Sequence, residues 1–127
     1  MPTDKDYERL LAFRTRLREF DQWSRAAAEG QGLTHSQHQL LLAIRGYRGS
    51  EGPTIGDVAD ALLVKHHTAS ELVSRAEDLG LVQRKRDAQD SRRVHLRLTD
   101  KGGATLQQLT AVHLEEVRRL ARLLGDL

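Results

Sequence analysis

The chain has 127 residues, 39% of them hydrophobic, with a net charge of +2, no Cys and two Pro. That length suits one compact unit, or one unit per subunit of an oligomer, and so lean an apolar share points to a partner chain that completes the burial. Disulfide frameworks, thiol nucleophiles and Cys-based metal centres are excluded; no apolar run nears the roughly 20 residues of a membrane span, and the first residues lack a basic-then-apolar export signal, so a soluble, cytoplasmic protein is expected.

From about Asp4 to Glu29 the chain reads as one helix. Leu10, Phe13, Leu17 and Phe20 recur at spacings of three and four, Tyr7 and Trp23 extend the line, and charges fill the other faces. Gly30 and Gly32 stop it. A second helix starts at Thr34, where Thr34-His-Ser-Gln37 has the spacing of a capping box; Leu40, Leu41 and Ile44 form its apolar face. A turn-rich break runs from Gly46 to Pro53. Thr54-Ile-Gly-Asp57 opens a short third helix with Ile55, Val58, Ala59 and Leu62 inward.

Lys65 to Leu79 is a fourth helix, ended by Gly80, with Leu72, Val73, Ala76 and Leu79 as its expected buried positions. The polar set Lys65, His66, Thr68, Ser70, Glu71, Ser74 and Arg75 is left outward or at the first turn. A short helix, a tight turn and a longer helix with a polar outer face form the pattern of a helix-turn-helix.

Leu81 to Arg86 reads as a strand and Asp87 to Ser91 as a turn. Arg93 to Leu98 alternates, placing Val94, Leu96 and Leu98 on one face and Arg93, His95 and Arg97 on the other. The fourteen residues from Arg84 to Arg97 carry a net +4, so the rest of the chain is slightly acidic. A basic stripe on a near-neutral protein points to a polyanion at one site. Thr99 can cap a last helix from about Asp100 to Leu124, with Leu106, Leu109, His113, Val117, Leu120 and Leu124 in line.

The expected fold is mainly α with a small β-hairpin wing: a winged helix-turn-helix between two dimerisation helices. Residues 1–32 and 100–127 form those helices. Residues 33–99 form the DNA-binding part, with a recognition helix at about 65–79 and a wing at about 81–98. All belong to one structural domain. Such a helix fits the major groove, and Arg on a hairpin can neutralise phosphate or enter the minor groove. Packed across a two-fold axis, the terminal helices would place two recognition helices roughly 34 Å apart, one turn of duplex.

The order of features resembles the MarR family, most closely from Leu33 to Gly102. The matching pieces are Leu33-Thr34-x-x-Gln37, Ile55-Gly-Asp-Val-Ala59, Thr68-Ala-Ser70, Glu77-x-x-Gly80-Leu-Val82, Arg84, and Asp90-x-Arg92 followed by Leu98-Thr99-x-x-Gly102. The resemblance implies an interlocked dimer, a cytoplasmic and nucleoid-associated regulator of transcription, and operator DNA as partner. It also implies modulation, most often of a repressor, by a small aromatic acid or similar effector. By the same resemblance, Asp90 and Arg92 shape the wing and bring Arg to the minor groove. The sequence departs from many relatives at Glu71, where they carry Arg or Lys, and at Ala76, where they carry a bulkier apolar residue.

The expected DNA-binding residues are Lys65, His66, His67, Thr68, Ser70, Ser74, Arg75, Arg84, Arg86, Asp90, Arg92 and Arg93. His66, His67, Thr68, Ser70 and Ser74 are expected at base edges and the cations mainly at phosphates. Alternatives stay open for several residues. Arg84 and Arg97 can instead pair with Asp87 or other acids. His66 and His67 can be a surface pair without a role, and their side chains point about 100° apart, poor geometry for one metal ion. His35 and His38 have metal-sharing spacing, with His113 as a third ligand for a metal-responsive regulator, or are ordinary polar surface near the dimer interface. Tyr7, Phe13, Phe20, Trp23 and Tyr47 are core or dimer seam, or line an effector pocket. No metal or cofactor is expected in the leading reading. The sequence holds no phosphate loop, nucleophile elbow or metalloprotease helix, so an enzyme is not expected. A scaffold that meets an acidic protein is the remaining alternative.

Overall fold

The computed structural model describes residues 1–127. It is mainly helical, with α1 (Asp4–Gly30), α2 (His35–Arg45), α3 (Ile55–Leu62), α4 (His66–Asp78), an antiparallel hairpin of β1 (Val82–Arg86) and β2 (Val94–Leu98), and α5 (Asp100–Gly125). No helix is long and apolar enough to cross a membrane.

Threonines open four of the five helices. Thr34 and Thr54 form complete capping boxes with Gln37 and Asp57, and Thr99 caps α5. Thr3 and Asp6 form a further box that the sequence pattern did not single out. Each satisfies backbone N–H groups that a helix start leaves free, at about 1 kcal/mol per cap. Accepting the Thr54 amide holds the Asp57 carboxyl below its ordinary range.

The core lies where α2, α3, α4, the hairpin and the first half of α5 meet. Leu40, Leu41, Val58, Val73 and Leu96 are fully enclosed there. Leu79 departs from expectation and is half exposed. The helix ends at Asp78, and Gly80 turns the chain so that Leu81 fills the core position instead. Between α3 and α4 the turn is made by Leu63, exposed and in the left-handed region at φ 57°, a conformation that costs a residue with a Cβ roughly 1 kcal/mol.

The hairpin is fixed along both edges of β2 and at its base. β1 pairs with β2 from Val82↔Leu98 to Arg86↔Val94. The Leu96 amide donates to the Pro53 carbonyl (2.7 Å), so the loop before α3 flanks β2 on its other side. Gly52 in that loop has φ +90°, and a Cβ there would strike the Leu96 carbonyl. At the hairpin base, Thr99 Oγ1 donates to the Gly80 carbonyl (2.5 Å), and Gly102 packs directly on the Leu81 carbonyl with no room for a Cβ.

α1 packs along α5, but their apolar stripes are only partly covered. Tyr7, Leu10, Leu11 and Phe13 of α1, and Val112, Leu114 and Val117 of α5, stand exposed. α5 is one continuous helix. Where α1, α2 and α5 converge, His113 donates from Nδ1 to the Leu109 carbonyl (2.7 Å) and accepts at Nε2 from the Ser24 hydroxyl (2.7 Å). The rings of His38 and Trp23 lie 4.6 Å and 4.7 Å from it.

His38 is therefore buried at 2% exposure, not polar surface. Burial first, then the facing His113 and His35, lower its pKa to about 4, which keeps the ring neutral. The trio His35, His38 and His113 does not assemble as a metal centre: both nitrogens of His113 are spent on hydrogen bonds. The one group of three His or carboxylate side chains whose ligand atoms lie within 4.8 Å of one another is Glu51, Asp87 and His95.

Candidate nucleic-acid interface

α4 turns Ala69, Val73 and Ala76 into the core. At 100° per residue the opposite face is centred on Glu71, with His67, Ser74, Arg75 and Asp78 around it. Lys65, His66, His67, Thr68, Ser74 and Arg75 are exposed, whereas Ser70 is half-buried on the flank. His67 Nε2 lies 3.1 Å from Glu71 Oε1. α4 alone among the helices starts without a side-chain cap, at Lys65. Its first N–H groups are left to solvent or to an anionic ligand.

The cations of the hairpin divide into tied and free. Arg84 donates from Nε to Glu77 Oε1 (3.3 Å) and from Nη2 to Ser74 Oγ (3.1 Å), binding β1 to the last turns of α4. It thus pairs with an acid, but with Glu77 and not Asp87. Arg86 Nη1 donates to the Ser91 carbonyl (2.8 Å) and closes the wing turn. Lys85, Arg93 and Arg97 are exposed and make no ion pair.

The wing tip is built on two aspartates. Asp90 accepts from the Arg92 amide (3.0 Å) and from its Nε (3.2 Å), which holds its carboxyl below the usual range. The Arg92 side chain nonetheless stays 90% exposed, pre-oriented at the tip. Asp87 accepts from the Gln89 and Asp90 amides and from the His95 ring; these bonds lower its pKa to about 2. The expected outer position of His95 is overturned. The ring is 6% exposed because it bridges the Asp87 carboxylate (2.8 Å) and the Gly52 carbonyl (2.8 Å). Asp87 raises its pKa most, then Gly52.

The fold thus joins β1 to the last turns of α4 through Arg84, and both α4 and the hairpin carry exposed cations. Of the expected residues, Arg84 and Ser74 are engaged with each other, Arg86 and Asp90 shape the turn, Arg92 pairs with Asp90, His67 meets Glu71, Ser70 is half-buried, and Lys65, His66, Thr68, Arg75 and Arg93 are free. Glu71 was left out of the expected set, although the spacing from Ala69, Val73 and Ala76 places it at the centre of the outward face.

Comparison with known proteins gives a consistent assignment. A family model described as MarR family matches residues 31–93. The chain is 28% identical over 129 residues to the HTH-type transcriptional regulator TtmR of Methylorubrum extorquens (strain PA1), covering 94% of this chain and spanning 65% of that relative's length. A crystal structure of an S. aureus MepR–DNA complex matches with a TM-score of 0.74 at 29% identity, over 87% of this chain and 80% of that one. AbsC from Streptomyces coelicolor, a MarR family transcriptional regulator, shares the fold at 22% identity and a TM-score of 0.78, over 94% of this chain and 80% of that one. With its helix-turn-helix, its Asp90–Arg92 wing and the Thr99–Gly102 junction behind them, the chain belongs to the MarR family.

Proposed function

We propose that this protein is a homodimeric, sequence-specific regulator that binds double-stranded operator DNA, most simply as a repressor whose affinity a small molecule modulates. The observation that carries the reading is the pairing of an outward α4 face, uncapped at Lys65, with a wing that extends Arg92 90% exposed on an Asp90 support. His66, His67, Thr68 and Ser74 stand where base edges would be read, with Ser70 at the margin. Lys65, Arg75, Arg92 and Arg93 supply phosphate or minor-groove contact. Arg84 and Arg86 act by holding the wing in place. That MepR has been solved with DNA lends further support.

The half-exposed stripes of α1 and α5 support the dimer, since a second copy would cover both. A cleft of about 560 Å³ between α2, β2 and α5 supports the effector. Arg45 and Arg97 would meet an acid there and Tyr47 an aromatic ring.

The test is salt-titrated selection of the purified protein on random duplex DNA, with sequencing of the retained fraction. Enrichment of a pseudo-palindrome with half-sites about one turn apart is expected. Sequence-blind binding that vanishes near physiological salt refutes the reading and points to an acidic protein partner.

A further inference from the structure

One group of side chains behind the wing takes no part in the proposed DNA contacts. His95 is enclosed on β2, Asp87 starts the wing turn, and Glu51 sits in the loop before α3, yet their ligand atoms all lie within 4.8 Å of one another. We propose that His95, Asp87 and Glu51 form a site for a divalent first-row transition cation, of which Zn²⁺ is the type, that clamps the wing to the loop before α3.

The orientation of the imidazole carries the argument. The Gly52 oxygen can only accept, so the 2.8 Å contact fixes the proton on Nδ1 and turns Nε2 toward the carboxylates. A backbone carbonyl behind Nδ1 is the support that metal-ligating histidines commonly have, because it sets the tautomer and the ring plane. Nε2 then faces Asp87 Oδ2 at 2.8 Å, a contact that needs a cation in it, either a proton or a metal. Asp87 is itself held by two backbone amides, so its second oxygen is aimed and not free to swing.

Glu51 completes the case. Its carboxylate makes no hydrogen bond or ion pair in the fold, although it lies beside this pair. With the proton in place the three groups carry a net −1; a divalent cation in its stead brings them to neutrality. Opening the Nε2–Oδ2 distance from 2.8 Å to the roughly 3.3 Å edge of a tetrahedral site needs a shift of about 0.5 Å, with water as a fourth ligand. One imidazole with two carboxylates favours a first-row transition ion over Mg²⁺ or Ca²⁺, which take oxygen alone.

The proposal goes beyond the DNA-binding reading and is tested without DNA. The full chain, free of any affinity tag and stripped with chelator, is titrated with Co²⁺ and followed by its visible absorption, then back-titrated with Zn²⁺. Saturation at one cation per chain is expected. Glu51→Gln and Asp87→Asn should each weaken binding at least about tenfold. Both preserve the wing: Glu51 is exposed, and Asn can still accept from the Gln89 and Asp90 amides. His67→Gln, which alters the exposed His67–Glu71 pair, should leave Co²⁺ uptake unchanged. Absence of saturable binding overturns the proposal. So does binding that survives Glu51→Gln and Asp87→Asn unchanged, or that is lost in His67→Gln.

Discussion

Acidification should strain the protein at one identifiable ring. His38 has a pKa near 4 in the folded chain, against the ordinary 6.5. A histidine depressed in this way favours unfolding as pH falls, because the unfolded chain takes up the proton first. The penalty is absent well above 6.5, grows as pH drops through 6.5, and levels off below about 4. The full shift corresponds to about 3 kcal/mol, at 1.36 kcal/mol per unit. Only part of it develops between about pH 7 and about pH 5, because pH 5 still lies above the folded pKa, and about 1–2 kcal/mol is expected over that window. The assay is urea unfolding followed by circular dichroism at both pH values, at one protein concentration, for wild type and His38→Leu. Leucine is close in volume and does not titrate. Other groups contribute equally to both proteins, so the difference isolates His38. The wild type should lose about 1–2 kcal/mol more than the variant. Equal losses would refute the assignment of a neutral, desolvated His38.

Four further outcomes follow from the geometry. Arg92→Ala should leave the fold intact, weaken duplex binding about tenfold and reduce the salt slope by about one, as read by fluorescence anisotropy; unchanged affinity would refute wing contact. Glu71→Gln removes a negative charge from the centre of the α4 face, and should raise affinity for random duplex several-fold while changing the selected sequence, on the order of 1 kcal/mol per site. Gly102→Ala drives a methyl group into the Leu81 carbonyl and should cost about 1–3 kcal/mol in urea unfolding. Leu63→Gly releases the left-handed turn between α3 and α4 and should be neutral to stabilising, by up to about 1 kcal/mol in the same measurement.

Features set by near neighbours in the chain were readable in advance. Thr34 and Thr54 announce helix starts because cap and partner lie three residues apart. Val94, Leu96 and Leu98 announce a strand because alternation is local. The Asp90–Arg92 support is likewise a two-residue affair. What escaped depends on partners far along the chain. His95 looks like an outward basic residue until Gly52, 43 positions earlier, covers it. His38 looks like surface until His113 and Trp23 close over it. For Arg84 the sequence leaves DNA contact and pairing with an acid both open, and Glu77 and Ser74 emerge as its partners only once β1 folds back along α4. Glu71 is different: its outward place was readable from the sequence, and its negative charge, opposed to phosphate, kept it out of the expected contact set.

The joint at Gly80, Leu81, Thr99 and Gly102 has a mechanical consequence. No side chain cushions the contact of Gly102 with the Leu81 backbone, so the base of the hairpin is fixed to the first turn of α5. The hairpin rises about 17 Å from that joint, and α5 extends about 39 Å beyond it. A rotation of α5 by about 10° would therefore carry the wing tip some 3 Å, the scale on which an arginine enters or leaves a groove. Because Arg84 ties β1 to the end of α4, the recognition helix would swing with it. Helix and wing then behave as one arm with its pivot at α5, and in the proposed dimer whatever resets the angle between two copies of α5 would set the spacing of both arms at once.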